Sequence, residues 1–146
     1  MQCGGALIAA SVPEARNPGS YTPEHLSRKI LTSRSALVGE RKQVTVFFAD
    51  VKGSVALSRQ VDAERWHEIL DRFFQILAAG VHRFEGTLNQ FTGDGVMALF
   101  GAPIAHEDHA QRACYAALHL ERALRVYADE LRRTEGLNFS VRMGLN

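Results

Sequence analysis

Cysteine is scarce in this 146-residue chain, which has only Cys3 and Cys114, far apart. That pair builds neither a disulfide framework nor a four-ligand zinc site. An excess of one charge sign is also missing, since 17 basic residues against 16 acidic ones leave +1. Such a balance gives no electrostatic footprint for nucleic acid or for an anionic membrane surface. The apolar run Ala6 to Val12 is much too short to span a bilayer and has no basic region before it. No membrane span and no secretory signal are therefore expected. No internal repeat occurs. What is present is an ordinary hydrophobic fraction of 46%, enough for one compact domain with an appended tail. The expected location is the cytoplasm.

Residues 1–20 mix Gly, Ala, Pro and Ser without a sustained period and read as a flexible tail. Thr22-Pro23-Glu24 starts a helix, with Pro23 at its first position, running to about Ala36. Leu26, Ile30 and Leu37 fall on one face and Gly39 ends it, so residues 21–38 form a helical linker. The character then changes. Val44-Thr45-Val46-Phe47-Phe48-Ala49 is a nearly continuous apolar run ending at Asp50, the pattern of a strand buried on both faces. Ser54 is expected to cap a short turn through Ser58.

Trp66, Ile69, Leu70, Phe73, Leu77, Val81 and Phe84 recur at three- and four-residue steps, with Asp62 as N-cap and Gly86 as the stop. Two short strands follow, about Thr87 to Phe91 and Val96 to Phe100, joined by a tight Thr92-Gly93-Asp94-Gly95 hairpin. A second helix is expected from about Glu107 to Arg133, with Ala110, Ala113, Cys114, Ala117, Leu120, Leu124 and Leu131 inward. Gly136 ends it, and Phe139 to Leu145 reads as the last strand.

The element order is βαββαβ, the α+β ferredoxin-like arrangement. There the first strand lies antiparallel beside the third, so the end of one meets the start of the other. Asp50 and Asp94, more than forty residues apart, should then converge at one edge of the sheet. Converging carboxylates repel unless a cation is shared. Hard divalent ions take oxygen ligands from both, and two such ions can clamp an in-line displacement at phosphorus. The loop Val51-Lys52-Gly53-Ser54 offers backbone amides for a triphosphate, with Gly53 allowing close approach. Taken singly, Asp94 is as readily a turn former and Asp50 a solvated strand end.

These residues sit in recognisable motifs. Gly39 to Asp50 (GERKQVTVFFAD), Phe91 to Pro103 (FTGDGVMALFGAP) and His106-Glu107-Asp108 resemble bacterial class III adenylate/guanylate cyclase catalytic domains. The resemblance covers about residues 39–146, the N-terminal portion of that domain, and implies its palm fold. It implies that Asp50 and Asp94, with the backbone carbonyl of Val51, bind two Mg²⁺ or Mn²⁺ ions. It implies that Val51, Lys52, Gly53, Ser54, Gln90 and Gly93 contact a nucleoside triphosphate. The 3′-hydroxyl then attacks the α-phosphate, giving cyclic nucleotide and pyrophosphate, at an interface with a second cyclase domain in a homodimer or a mixed pair. Cys3-Gly4-Gly5 fits a remnant of the zinc ribbon some relatives carry upstream.

Departures narrow the expectation. Where the family often has Gly-Phe-Thr after the first aspartate, this chain has Gly53-Ser54-Val55. Gln90 stands where adenylate cyclases have Lys and guanylate cyclases Glu, and its neutral amide both donates and accepts. ATP is favoured over GTP only by the family's base rate. The later segment carrying the Asn/Arg pair that stabilises the transition state has no counterpart here, so the chain alone is expected to be inactive. The alternative is a non-catalytic module that binds nucleotide or dimerises to regulate a complete partner. A diguanylate cyclase is disfavoured, because its Gly-Gly-Asp/Glu-Glu-Phe hairpin is missing. The His106–His109 cluster reads as a solvated helix start.

Overall fold

The computed structural model describes residues 17–35 and 41–146. The readings for residues 1–16, Leu37 and Gly39 lie outside them. A 3₁₀ turn, Pro18–Tyr21, leads into α1 (Glu24–Ser35). Residues 17–20, read as the end of a tail, thus hold a defined turn: the Asn17 side chain accepts from the Gly19 amide. The domain proper follows as β1 (Thr45–Val51), α2 (Ser54–Ser58), α3 (Ala63–Arg83), β2 (Thr87–Phe91), β3 (Gly95–Phe100), α4 (His109–Glu135) and β4 (Val141–Leu145). All three strand pairs are antiparallel, in the order β2-β3-β1-β4. This is the expected ferredoxin-like sheet. β1 and β3 are its two central strands, so their meeting point lies at the sheet's end rather than on an edge strand.

Helices α3 and α4 cover one face. Along β1, Thr45, Phe47, Ala49 and Val51 are buried against them, while Phe48 on the opposite face is 45% exposed. The unbroken apolar run therefore marks a strand with one helix-covered face and one open face. Asp62 caps α3, accepting from the Arg65 amide at 2.7 Å. Ile69, Leu70, Phe73, Leu77 and Val81 are buried as their spacing requires, joined by Phe74, while Trp66 and Phe84 pack at the core's margin. Each fully buried Phe contributes about 1.5–3 kcal/mol. Five ring contacts form a ladder, Tyr21–Phe91–Phe74–Phe73–Phe139–Tyr127, with centroids 4.7 to 5.6 Å apart.

Several details differ from the sequence reading. Gly53, with φ +62°, is the N-cap of α2 and Ser54 its first residue, without a side-chain capping bond. After α3 the left-handed residue is Glu85, at φ +61°. Gly86 serves clearance instead: a Cβ there would lie 2.6 Å from the Phe100 ring. Helix α4 starts at His109, two residues after the expected Glu107, with Asp108 as its N-cap residue and the Asp108 side chain paired with Arg112 at 2.8 Å. Its inward stripe is Ala113, Ala116, Leu120, Leu124, Tyr127 and Leu131, whereas Ala110 and Cys114 are exposed. One residue turns a helix about 100°, which carries Cys114 out of the stripe through Ala113. Gly136 closes α4 at φ +67°. Phe139 is buried ahead of β4, which begins at Val141.

Candidate functional site

Strand register assembles the site. Asp50 pairs across β1–β3 with Gly95, and the Val51 amide donates to the Asp94 carbonyl at 3.2 Å. Asp50 and Asp94 are thereby brought to one end of the central strands. The hairpin holds its geometry through the Thr92 amide, which donates to Gly95 O at 2.9 Å. Gly93 takes φ +77° as the first central residue, as tight hairpins require. Gly95 has a different task. A Cβ there would lie 2.6 Å from Ala49 O and 3.1 Å from the Asp50 Cβ, so only glycine lets the two acidic residues approach.

On the helix-free face, Gln90, Met97, Phe48 and Gly144 form one row across the sheet. The neighbouring row is Gly95, Asp50 and Arg142. A register shift between Leu88 and Gln90 marks a bulge that brings Gln90 opposite Met97. Gln90 is exposed. A cavity of about 360 Å³ opens here, lined in part by Phe48, Asp50, Thr92, Arg142 and Gly144.

Arg142 is the residue sequence reasoning missed. Its Nε and Nη2 donate to Asp50 Oδ1 and Oδ2 at 3.1 and 2.6 Å, the bidentate fork that matches a carboxylate. The hydrogen bond to Asp50, then its charge, and finally the charge of Asp94 hold the guanidinium more firmly protonated. The two residues are 92 positions apart. Only the alternation of Val141, Arg142 and Met143 hinted that Arg142 faces away from the core.

The loop after Asp50 is more committed than expected. The Lys52 amide donates to Ser140 O at 2.8 Å and the Val51 amide to Asp94 O, so neither is available to a phosphate. The amides of Gly53 and Ser54 remain, with no protein acceptor among the described residues. Gly53 is required by its backbone angle rather than by crowding, since nothing lies within 4 Å of a Cβ built there. The Val51 side chain is 2% exposed, leaving only its main chain for a ligand. Lys52 is solvent-facing. The histidine cluster is dispersed among separate partners: His106 Nε2 lies 2.9 Å from Glu85, and His109 Nδ1 bonds Thr45 Oγ1 at 2.8 Å.

The antiparallel sheet with two acids at the end of its central strands defines an α+β domain of the palm type. A profile described as the adenylate and guanylate cyclase catalytic domain matches residues 38–146. The chain is 32% identical over 129 residues to Adenylate cyclase 1 of Rhizobium meliloti (strain 1021), covering 86% of this chain and 19% of that protein. Its fold matches the adenylyl cyclase CyaB from P. aeruginosa with a TM-score of 0.67 at 29% identity, over 73% of this chain and 56% of that one. The guanylyl cyclase Cya2 matches with the same TM-score at 27% identity, over 74% and 55%. The chain belongs to the adenylate and guanylate cyclase catalytic-domain family. It spans about a fifth of the curated relative's length and a little over half of each solved chain. Among the described residues no helix is long and apolar enough to cross a membrane.

Proposed function

We propose that this chain forms the metal- and phosphate-binding half of a nucleotidyl cyclase active site, completed by a second cyclase domain. The reaction is conversion of ATP to 3′,5′-cyclic AMP and pyrophosphate. The observation that carries this reading is the Asp50–Gly95 register, which sets Asp50 beside the hairpin bearing Asp94.

The donor set fits Mg²⁺ or Mn²⁺. Among the described residues no group of three His, Cys, Asp or Glu side chains forms a closed metal cage. Two carboxylates and the Val51 carbonyl suit an ion that takes its remaining oxygens from water and phosphates. A bound pair of ions would neutralise charge on the triphosphate as the 3′-hydroxyl attacks the α-phosphorus. Arg142 already supplies a tethered cation to Asp50. With Asp50 engaged in holding a metal ion, the Arg142 guanidinium would be free to meet a phosphate, whose oxygens its fork geometry suits. In this reading the Gly53 and Ser54 amides donate to phosphate oxygens, since neither has a protein acceptor among the described residues. Gln90, on the row next to Asp50, is the purine-edge residue, and ATP is the substrate we assign by family frequency.

A second reading has its own support. The Val51 and Lys52 amides are already bonded to Asp94 O and Ser140 O, which leaves fewer donors for a triphosphate and favours a module that pairs with a complete domain without contributing chemistry. One experiment separates the two. The chain is mixed with a complete cyclase domain whose own two metal-binding aspartates have been replaced. Restored cyclic AMP formation that falls at least about hundredfold with Asp50→Asn supports the enzymatic reading. Tight association without restored turnover supports the module.

A further inference from the structure

The segment ahead of the domain reaches the hairpin that carries Asp94. The Tyr21 ring meets Phe91 edge-on at 5.6 Å, and Phe91 meets Phe74 of α3 at 4.7 Å. Phe91 is the last residue of β2, immediately before the Thr92–Gly95 turn, and pairs with Val96 on the other strand. The Tyr21 hydroxyl donates to Asp71 Oδ1 of α3 at 2.5 Å, and Gln75 holds the other oxygen of that carboxylate at 2.8 Å. Tyr21 therefore closes a clasp, with its ring on the hairpin's base and its hydroxyl on the helix beneath. Its own backbone is braced, since Thr22 Oγ1 donates to Pro18 O and Leu26 of α1 is buried.

The hairpin needs such support. Its tip packs against little: Thr92 and Gly93 are exposed, and a Cβ on Gly93 would meet nothing within 4 Å. The position of Asp94 is therefore set by the Val51 amide on its carbonyl and by the hairpin's base, where Phe91 is held between Phe74 and Tyr21. An edge-to-face ring pair contributes energy beyond its buried area, and here that energy acts on one strand end.

We propose that Tyr21 is a positioning residue for the hairpin carrying Asp94, coupling the segment ahead of the domain to the metal site. This rests on the reading of Asp94 as a metal ligand, but the positional half can be tested without it. Amide hydrogen exchange would be followed by NMR in the full chain, in Tyr21→Leu and in Tyr21→Phe, with Mn²⁺ affinity measured by EPR. In Tyr21→Leu, exchange at Thr92 and Val51, whose amides tie the hairpin, should accelerate about two- to tenfold, with Phe47 and Ala98 unchanged. The Mn²⁺ dissociation constant should rise by a similar factor. Tyr21→Phe keeps the ring but loses the tie to Asp71, so it should accelerate the same amides by a smaller factor, about two- to threefold, which tests the proposal even if the leucine variant does not fold. Unaltered hairpin exchange, or acceleration spread evenly over the sheet, overturns the proposal. If the parent chain binds no Mn²⁺, the metal reading fails while the exchange data still decide the role of Tyr21.

Discussion

At the scale of single residues, the site depends on a missing side chain as much as on two carboxylates. Gly95 lies where β1 and β3 come closest, with Ala49 O in the way of any Cβ. Gly95→Ala should therefore push the hairpin from β1, costing about 1–3 kcal/mol of stability. It should also lower reconstituted turnover more than a Gly144→Ala control, which meets open space. Denaturant titration and the mixing assay measure the two effects separately. Equal turnover in both variants would show that strand approach does not set the site. The convergence of Asp50 and Asp94 was legible in the sequence because the element order dictates which strand ends adjoin. The Arg142–Asp50 fork was not, because cross-strand pairing over 92 positions follows from register, which no local pattern encodes. Gly93 and Gly95 illustrate the same limit. Both read as turn glycines, yet only Gly93 has a positive φ, and the need for Gly95 arises from a strand distant in sequence.

At the scale of elements, the helix pair shows how local preference yields to packing. Gly80 is buried in the last turn of α3, where alanine is intrinsically better by up to about 1 kcal/mol. A Cβ there would lie 2.4 Å from a methyl carbon of Leu120 on α4. Gly80→Ala should destabilise the domain by about 1–3 kcal/mol despite the propensity gain. Combined with Leu120→Ala, the loss should be smaller than the sum of the singles. A fully additive cycle would show that the two helices do not meet there as described. The period of α3 was readable because large side chains mark its stripe without ambiguity. That of α4 was shifted because alanines recur all round the helix, so Ala110 and Cys114 looked as suited to the interior as Ala116. Tyr127, which the sequence reading left out, is buried with its hydroxyl donating to Ile69 O at 3.1 Å, a partner that only tertiary structure supplies.

At the scale of the whole molecule, stability should depend on pH through one buried histidine. His82 is 9% exposed and its Nε2 has no hydrogen-bond partner. Burial, and secondarily the charge of His25 on α1, lower its pKa from the ordinary 6.5. The unfolded chain then takes up a proton before the folded one does as pH falls. Its contribution is complete above about 6.5 and declines as pH drops toward the folded value, by at most about 1.4 kcal/mol per pH unit. Urea midpoints at pH 7.5 and 5.5 should differ, and His82→Leu should reduce that difference; an unchanged difference assigns the acid sensitivity elsewhere. The ring ladder from Tyr21 to Tyr127 has a consequence of another kind. Rings held in fixed, asymmetric contact give a near-ultraviolet circular dichroism band, which vanishes when side-chain packing is lost. With six rings in one chain of contacts and the single Trp66 outside it, the domain carries its own optical gauge. Because Tyr21 is the terminal rung, part of that band reports whether the leading segment is seated on the sheet.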